Sequence, residues 1–213
     1  MVIVTSSAFQ VPIEVCATFA FALSGLIAAA RKKMDAFGVF VVTSVSAFGG
    51  GTLRDVLLDR RPFFWIDHAG WIWLMLLLSL FAMIFMRNKH IQITQRAIQI
   101  PDALGVGLFT ALGTQIALGL YLPVIICALI GVTTAVFGGV LRDIFCNEIP
   151  KAFNDHQPYA VIAFIGSLLV VALNALNLAQ WVCVFIPAGL ITFFRIVTIY
   201  LEWRLPSWKI ESN

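Results

Sequence analysis

Two short stripes of residues carry most of the chemistry in this sequence. Thr43, Ser46, Gly50 and Arg54 are three or four residues apart and share one face of a helix. Gly131, Thr134, Gly138 and Arg142 repeat that spacing. Hydroxyls, glycines and a terminal cation are expensive to show to lipid, so the stripes are expected to face each other around a polar path. Gly49, Gly50 and Gly51 stand together in the first, and Gly138 and Gly139 in the second. Glycine inside a helix costs about 1 kcal/mol relative to alanine, so both runs are expected to break their helices and free backbone carbonyls. Those oxygens, with the hydroxyls of Ser46 and Thr134, suit a hard monovalent cation. Potassium or sodium is therefore expected near Ser46, Gly50, Thr134 and Gly138, with Thr43 on the same path. The alternative is close helix packing through small residues. Each stripe ends in an arginine–aspartate pair, Arg54-Asp55 and Arg142-Asp143. These pairs are either charge clamps at the membrane interfaces or gates at the two mouths. Each arginine is expected to reach another span.

The rest of the chain is built for lipid. Of 213 residues, 61% are hydrophobic and 12% charged, and the mean hydropathy is +0.95. Soluble domains carry roughly 45–50% apolar and about 25% charged residues. A soluble enzyme, a disordered chain and a nucleic-acid binder are thereby excluded, and the net charge of +3 is assigned to topology. Spans of about 20 apolar residues are expected over residues 11–30, 36–53 and 69–86. The uncharged runs from Asp102 to Arg142 and from His156 to Arg195 each read as a hairpin of two, turning at Tyr121-Leu122-Pro123 and around Asn174, Asn177 and Gln180. Seven spans put the termini on opposite sides. Arg31, Lys32, Lys33, Arg87, Lys89, Arg96, Lys151, Arg204 and Lys209 fall opposite the N-terminus, so the positive-inside rule places the N-terminus outside and the C-terminus in the cytoplasm of a cell (inner) membrane protein.

The remaining polar and aromatic residues read blandly. Trp65, Trp71, Trp73, Trp181, Trp203 and Trp208 read as interface anchors. Cys16, Cys127, Cys146 and Cys183 show no paired or zinc-like spacing and read as buried hydrophobes. No cleavable signal peptide is expected, because the basic cluster follows the first apolar segment. His68, His90 and His156 are scattered, and no nucleophile–base spacing suggests an enzyme or a cofactor site. Thr18, Ser24, Thr110, Thr114 and Gln115 are polar at depth, Asp102 is expected to open the fourth span, and the loop of Asn147, Glu148, Lys151 and Asp155 is expected to be solvated.

An internal duplication organises the spans. Shifting the chain by 88 residues lays residues 47–62 on 135–150 with seven of sixteen identities, including Arg54-Asp55 on Arg142-Asp143 and Pro62 on Pro150. Phe21 falls on Phe109 and Gly25 on Gly113. Each copy holds three spans, so the second enters the membrane from the opposite side. The expected frame is an all-α membrane domain of 3+3+1 helices: repeat one at about 11–90, repeat two at about 99–178, and a seventh helix at about 180–201.

Gly-Gly-Gly-x-x-Arg-Asp in the second span, Gly-Gly-x-x-Arg-Asp in the fifth and Asp102-Ala103-Leu104-Gly105 together resemble the prokaryotic branch of the trimeric intracellular cation (TRIC) channels, over about residues 10–201. The resemblance implies a homotrimer in lipid with one potassium- and sodium-permeable pore per subunit, lined by spans one, two, four and five and kinked at the glycine motifs. Animal members tie lysine-dependent lipid binding to the second-span motif; Thr52 follows the glycines here with no adjacent lysine, so phosphoinositide regulation is not expected. The same family is also labelled a small-solute (glycine) transporter, which is the alternative reading. The acidic residues Glu14, Asp55 and Asp143 lie toward span ends rather than at depth, which favours a channel.

Overall fold

The computed structural model describes residues 9–85, 95–154 and 158–203. The expected loop charges Arg87, Lys89, Asp155, Arg204 and Lys209, with His90, His156 and Trp208, lie outside them. All regular structure among the described residues is helical: α1 (Gln10–Arg31), α2 (Ala36–Leu57), α3 (Phe64–Asp67), α4 (Gly70–Phe85), α5 (Gln95–Gly119), α6 (Val124–Phe145), α7 (Lys151–Asn154), α8 (Tyr159–Ala175) and α9 (Gln180–Leu201). Helices α1, α2, α5, α6 and α9 are long and apolar enough to cross a membrane. The shorter apolar helices α4 and α8 have 16 and 17 residues. At about 1.5 Å per residue they fall a little short of a hydrocarbon core of about 30 Å, and each is preceded by one helical turn, α3 or α7.

The ends of the helices follow from local chemistry. The Asp35 carboxylate accepts the Gly38 N–H at 2.8 Å and caps α2. Both α2 and α6 end through a left-handed residue, Asp59 (φ 49°) and Asn147 (φ 54°), types that tolerate that conformation. The next N–H then turns back: Arg60 N–H to the Asp55 carbonyl and Glu148 N–H to the Asp143 carbonyl, each 2.8 Å. Lys33 (φ 55°) and Tyr121 (φ 56°) turn the chain after α1 and α5. Each pair is 88 residues apart, and α2 and α6 themselves lie 88 residues apart at both ends.

At the centre α1 packs against α5 and α2 against α6. Helix α4 leans on α2, α8 lies against α6 and α5, and α9 covers α5 and α8. Alternating crossings place the start of α1 and the end of α2 on one face of the bundle, called face one. The start of α5 and the end of α6 are on face two. Trp73, Leu77, Ile84, Phe193 and Phe194 are exposed on α4 and α9, as lipid-facing positions should be.

Two expectations fail here. Helices α2 and α6 run unbroken through Gly49–Gly51 and Gly138–Gly139. A Cβ on Gly50 would collide with the Thr134 carbonyl oxygen, and one on Gly138 would come within 2.5 Å of the Ser46 carbonyl oxygen. These glycines let two backbones touch where the helices cross, and close packing offsets their weak helix propensity. Helix α5 also begins at Gln95 rather than Asp102, so Asp102 lies about two turns inside it and caps nothing.

Candidate functional site: two buried charge clusters flanking a helix crossing

At face one the guanidinium of Arg54 is 1% exposed. It donates from Nη2 to Glu14 Oε1 on α1 at 2.6 Å, and to Asp55 from Nε and Nη2 at 2.8 and 3.0 Å. Arg60, on the loop, adds a bond from Nη1 to Asp55 Oδ1 at 3.2 Å. At face two Arg142 repeats the pattern. Its Nη1 reaches Asp102 Oδ1 on α5 at 2.6 Å, and its Nε reaches Asp143 Oδ1 at 2.9 Å. Three further groups complete this second cluster. Arg142 Nη1 also donates to Ser24 Oγ at 2.5 Å, the Tyr159 hydroxyl donates to Asp102 Oδ2 at 2.9 Å, and the Lys151 backbone N–H donates to Asp143 Oδ2 at 3.0 Å.

Each arginine therefore reaches another span, as the sequence implies, and also folds back onto its own neighbour. A buried charge is tolerated only when paired and hydrogen-bonded. Each pair of carboxylates shares one cation at its centre.

Glu14 and Asp102 are the members that the stripes alone miss. The signal was present: they too are 88 residues apart, acid on acid. Tyr159 and Arg195 carry no such signal, since their partners come from α5 and α8. Arg195 on α9 is buried, with its guanidinium 4.3 Å from the centre of the Tyr159 ring. Its Nε and Nη1 have no hydrogen-bond partner among the described residues.

Between the clusters the two stripes do face each other, and Thr43, Ser46, Gly50, Gly131, Thr134 and Gly138 are all buried. The hydroxyls expected to hold a cation are turned to their own helices: Ser46 Oγ donates to the Val42 carbonyl at 2.7 Å and Thr134 Oγ1 to Ile130 at 2.6 Å. Thr43 Oγ1 has no hydrogen-bond partner among the described residues. With both helices unbroken, the expected set of freed carbonyls is absent. Gly51 and Gly139 sit beside the clusters, close to Glu14 and Asp102 respectively, while Gly49 packs on Leu141. The rings of Phe21 and Phe109 stack at the centre, 5.6 Å apart.

A small recess opens at each end. One is lined by Glu14, Thr18, Gly51, Asp55, Trp65 and Phe109 among others. The other is lined by Arg31, Lys32, Arg142, Asp143, Glu148 and Lys151 among others. The loop expected to be solvated is thus half engaged: Lys32 Nζ meets Glu148 Oε1 at 2.8 Å. Burial works to raise the Glu148 carboxyl, but the bond and charge of Lys32 hold it below its ordinary value. Burial, with Arg142 nearby, pushes the Lys151 ammonium down. Thr114 bonds Thr110 and Ser167, and Gln115 exchanges amide bonds with Asn174. Those groups tie α5 to α8.

Known proteins resemble this chain in sequence and fold. A family model described as glycine transporter matches residues 12–87 and 99–175, one stretch in each half. A membrane protein of Vibrio cholerae is 35% identical over 73% of this chain and 64% of its own length. The Escherichia coli inner membrane protein YadS is 27% identical over 94% of this chain and 97% of its own. Among solved structures, one of a TRIC cation channel superimposes with a TM-score of 0.83 at 31% identity, covering 97% of this chain and 100% of that one. A TRIC channel orthologue from Rhodobacter sphaeroides gives 0.84 at 27% identity, covering 92% and 100%. Likeness in sequence, in helix order and over nearly the full length leads to one assignment: this integral membrane protein belongs to the TRIC/UPF0126 family, the one whose model is described as glycine transporter.

Proposed function

We propose that this chain is a monovalent cation channel, a homotrimer in which each subunit carries its own path for potassium and sodium. The observation that carries this reading is the near full-length likeness to solved TRIC cation channels. The path runs along the Thr43, Ser46, Gly50 and Gly131, Thr134, Gly138 faces of α2 and α6, with the Arg54-Asp55 and Arg142-Asp143 clusters clamping its ends. In the present conformation the Gly50–Thr134 and Gly138–Ser46 contacts occupy the centre. Conduction therefore requires α2 and α6 to move apart, with no break in either helix. Ser46 and Thr134 hydroxyls, each of which keeps acceptor capacity while donating to its own helix, then line the opening. No four-fold carbonyl ring is available, so discrimination between potassium and sodium is weak.

The duplicated 3+3+1 frame gives the two mouths opposite faces of the membrane. Arg31, Lys32, Lys33, Arg96 and Lys151 lie on face two, and the positive-inside rule supports reading that face as cytoplasmic, with the N-terminus outside. The glycine-transporter description favours alternating carriage of a small solute instead. Planar-bilayer recording under a potassium/sodium gradient tests both readings. Unitary cation currents with a reversal potential near zero are expected. Glycine-coupled flux without unitary currents would overturn the channel reading.

A further inference from the structure

The two mouths are built on the same backbone but carry opposite charge at one matching position. Arg60 and Glu148 both follow the left-handed residue that ends their helix, and each donates its N–H to the carbonyl of the cluster aspartate at 2.8 Å. Their side chains then diverge. Arg60 Nη1 lies 3.2 Å from Asp55 Oδ1, and its side chain is 18% exposed against 5% for Asp55, so it stands on the solvent side of that carboxylate. Glu148 instead turns to Lys32, and Asp143 takes the Lys151 backbone N–H.

Glu14, Arg54 and Asp55 together carry one net negative charge, which Arg60 cancels. We propose that Arg60 is a tethered counter-charge that competes with entering cations at the Asp55 mouth and makes conduction through each subunit asymmetric. This rests on the channel reading above. Among the described residues Arg60 makes one side-chain hydrogen bond, to Asp55, and is 18% exposed, so it can yield to a passing cation in a way that Arg54, with two acidic partners and 1% exposure, cannot.

The test uses the reconstituted trimer with symmetric potassium chloride, and R60C modified in place from the face-one side. A positively charged methanethiosulfonate reagent restores the charge, and a negatively charged one reverses it. At low salt the unmodified R60C should pass about two- to threefold more current for potassium entering from face one. The negative reagent should raise that current further, and the positive one should return it toward wild type. Current entering from face two should change much less, and at about 1 M salt, where the Debye length is about 3 Å, the differences should shrink. R61C is the control: Arg61 stacks on Phe63 at 4.1 Å, and its charge should matter little. Equal effects at both positions, or none at R60C in a trimer that otherwise conducts, overturn the counter-charge role alone. A wild-type trimer without unitary current overturns the channel reading and this inference with it.

Discussion

At face one Asp55 is held by two arginines, whereas at face two Asp143 is held by one arginine and a backbone N–H. The central motif is the same in both, a buried arginine bridging a carboxylate on its own helix and one on the helix before it. What differs is the outer layer. Around Arg54 it is one side chain, Arg60, from the loop after α2. Around Arg142 it includes Ser24, Tyr159 and Lys151, drawn from three helices. The inner geometry is common to both copies, and residues that differ between them at the 88-residue offset set the two ends apart. Face two is the more heavily tied end, and the comparison can be broken most directly there.

The largest effect should come from removing either arginine. R54A and R142A each leave two buried carboxylates without their shared cation, and losing one partner of a buried pair typically costs about 3–5 kcal/mol. R54A should be the milder of the two, because Arg60 remains on Asp55 and can swing inward. Unfolding of the detergent-solubilised protein by denaturant titration measures both. A milder R142A would reverse the ranking of the two ends.

Next in size are the glycines at the crossing, where the two halves should behave alike. G50A and G138A each drive a methyl group into a backbone carbonyl, and overpacking of that kind costs about 1–3 kcal/mol. A Cβ on Gly51 would find nothing nearer than Glu14 Oε1 at 3.6 Å, so G51A should be close to neutral. If G51A cost as much as G50A in the same titration, the contact with the Thr134 carbonyl would not be what sets the cost, since alanine is the better helix former at both sites.

The glycine result also marks how far the sequence could be read. Seven apolar segments, the 88-residue offset and the burial of both stripes were legible, because hydropathy and repeat spacing are local properties of the chain. The choice between a broken helix and a tight crossing was not. It depends on whether a partner backbone arrives at Gly50, and Thr134 lies 84 residues further along the chain. Ser46 and Thr134 were misjudged for the same reason: a hydroxyl's direction depends on which carbonyl or neighbour it finds after packing. The acid–acid match of Glu14 with Asp102 was available from the offset and completes both clusters. Nothing in the offset announces Arg195 or Tyr159: Arg195 lies on α9, outside the repeat, and Tyr159 falls on Trp71.

Tyr159 offers a smaller probe that should touch one cluster only. Y159F removes the hydroxyl that donates to Asp102 Oδ2 and leaves the ring under Arg195. Hydrogen bonds between membrane helices are worth about 1 kcal/mol or less, so a loss of that order is expected. The position 88 residues earlier is Trp71, and W71F should leave the Arg54 cluster untouched. A double cycle with D102A separates the bond from packing: Y159F should cost almost nothing once the acceptor carboxylate is gone. An undiminished cost in the D102A background would mean that the hydroxyl acts through Arg195 or the surrounding helices.

The smallest effect lies in the loop at face two, where Glu148 stands in the place of Arg60. Its contact with Lys32 is about one-third exposed on both sides, and solvent screening keeps such pairs near 0.5 kcal/mol. The sign with pH follows from the direction of the shift. Lys32 holds the folded carboxyl below the unfolded glutamate value of about 4.3 despite the opposing effect of burial. A depressed carboxyl contributes its full stability above the unfolded value and loses it as pH falls through the lower folded one. The stability difference between wild type and E148Q should therefore be steady from pH 7 to about 5 and be lost as pH falls through the lowered folded value. Raising the ionic strength at pH 7 should shrink it as well. If the difference persisted unchanged below that folded value, Glu148 would be stabilising the loop through its backbone turn rather than its charge, and the two mouths would differ less electrostatically than Arg60 and Glu148 suggest.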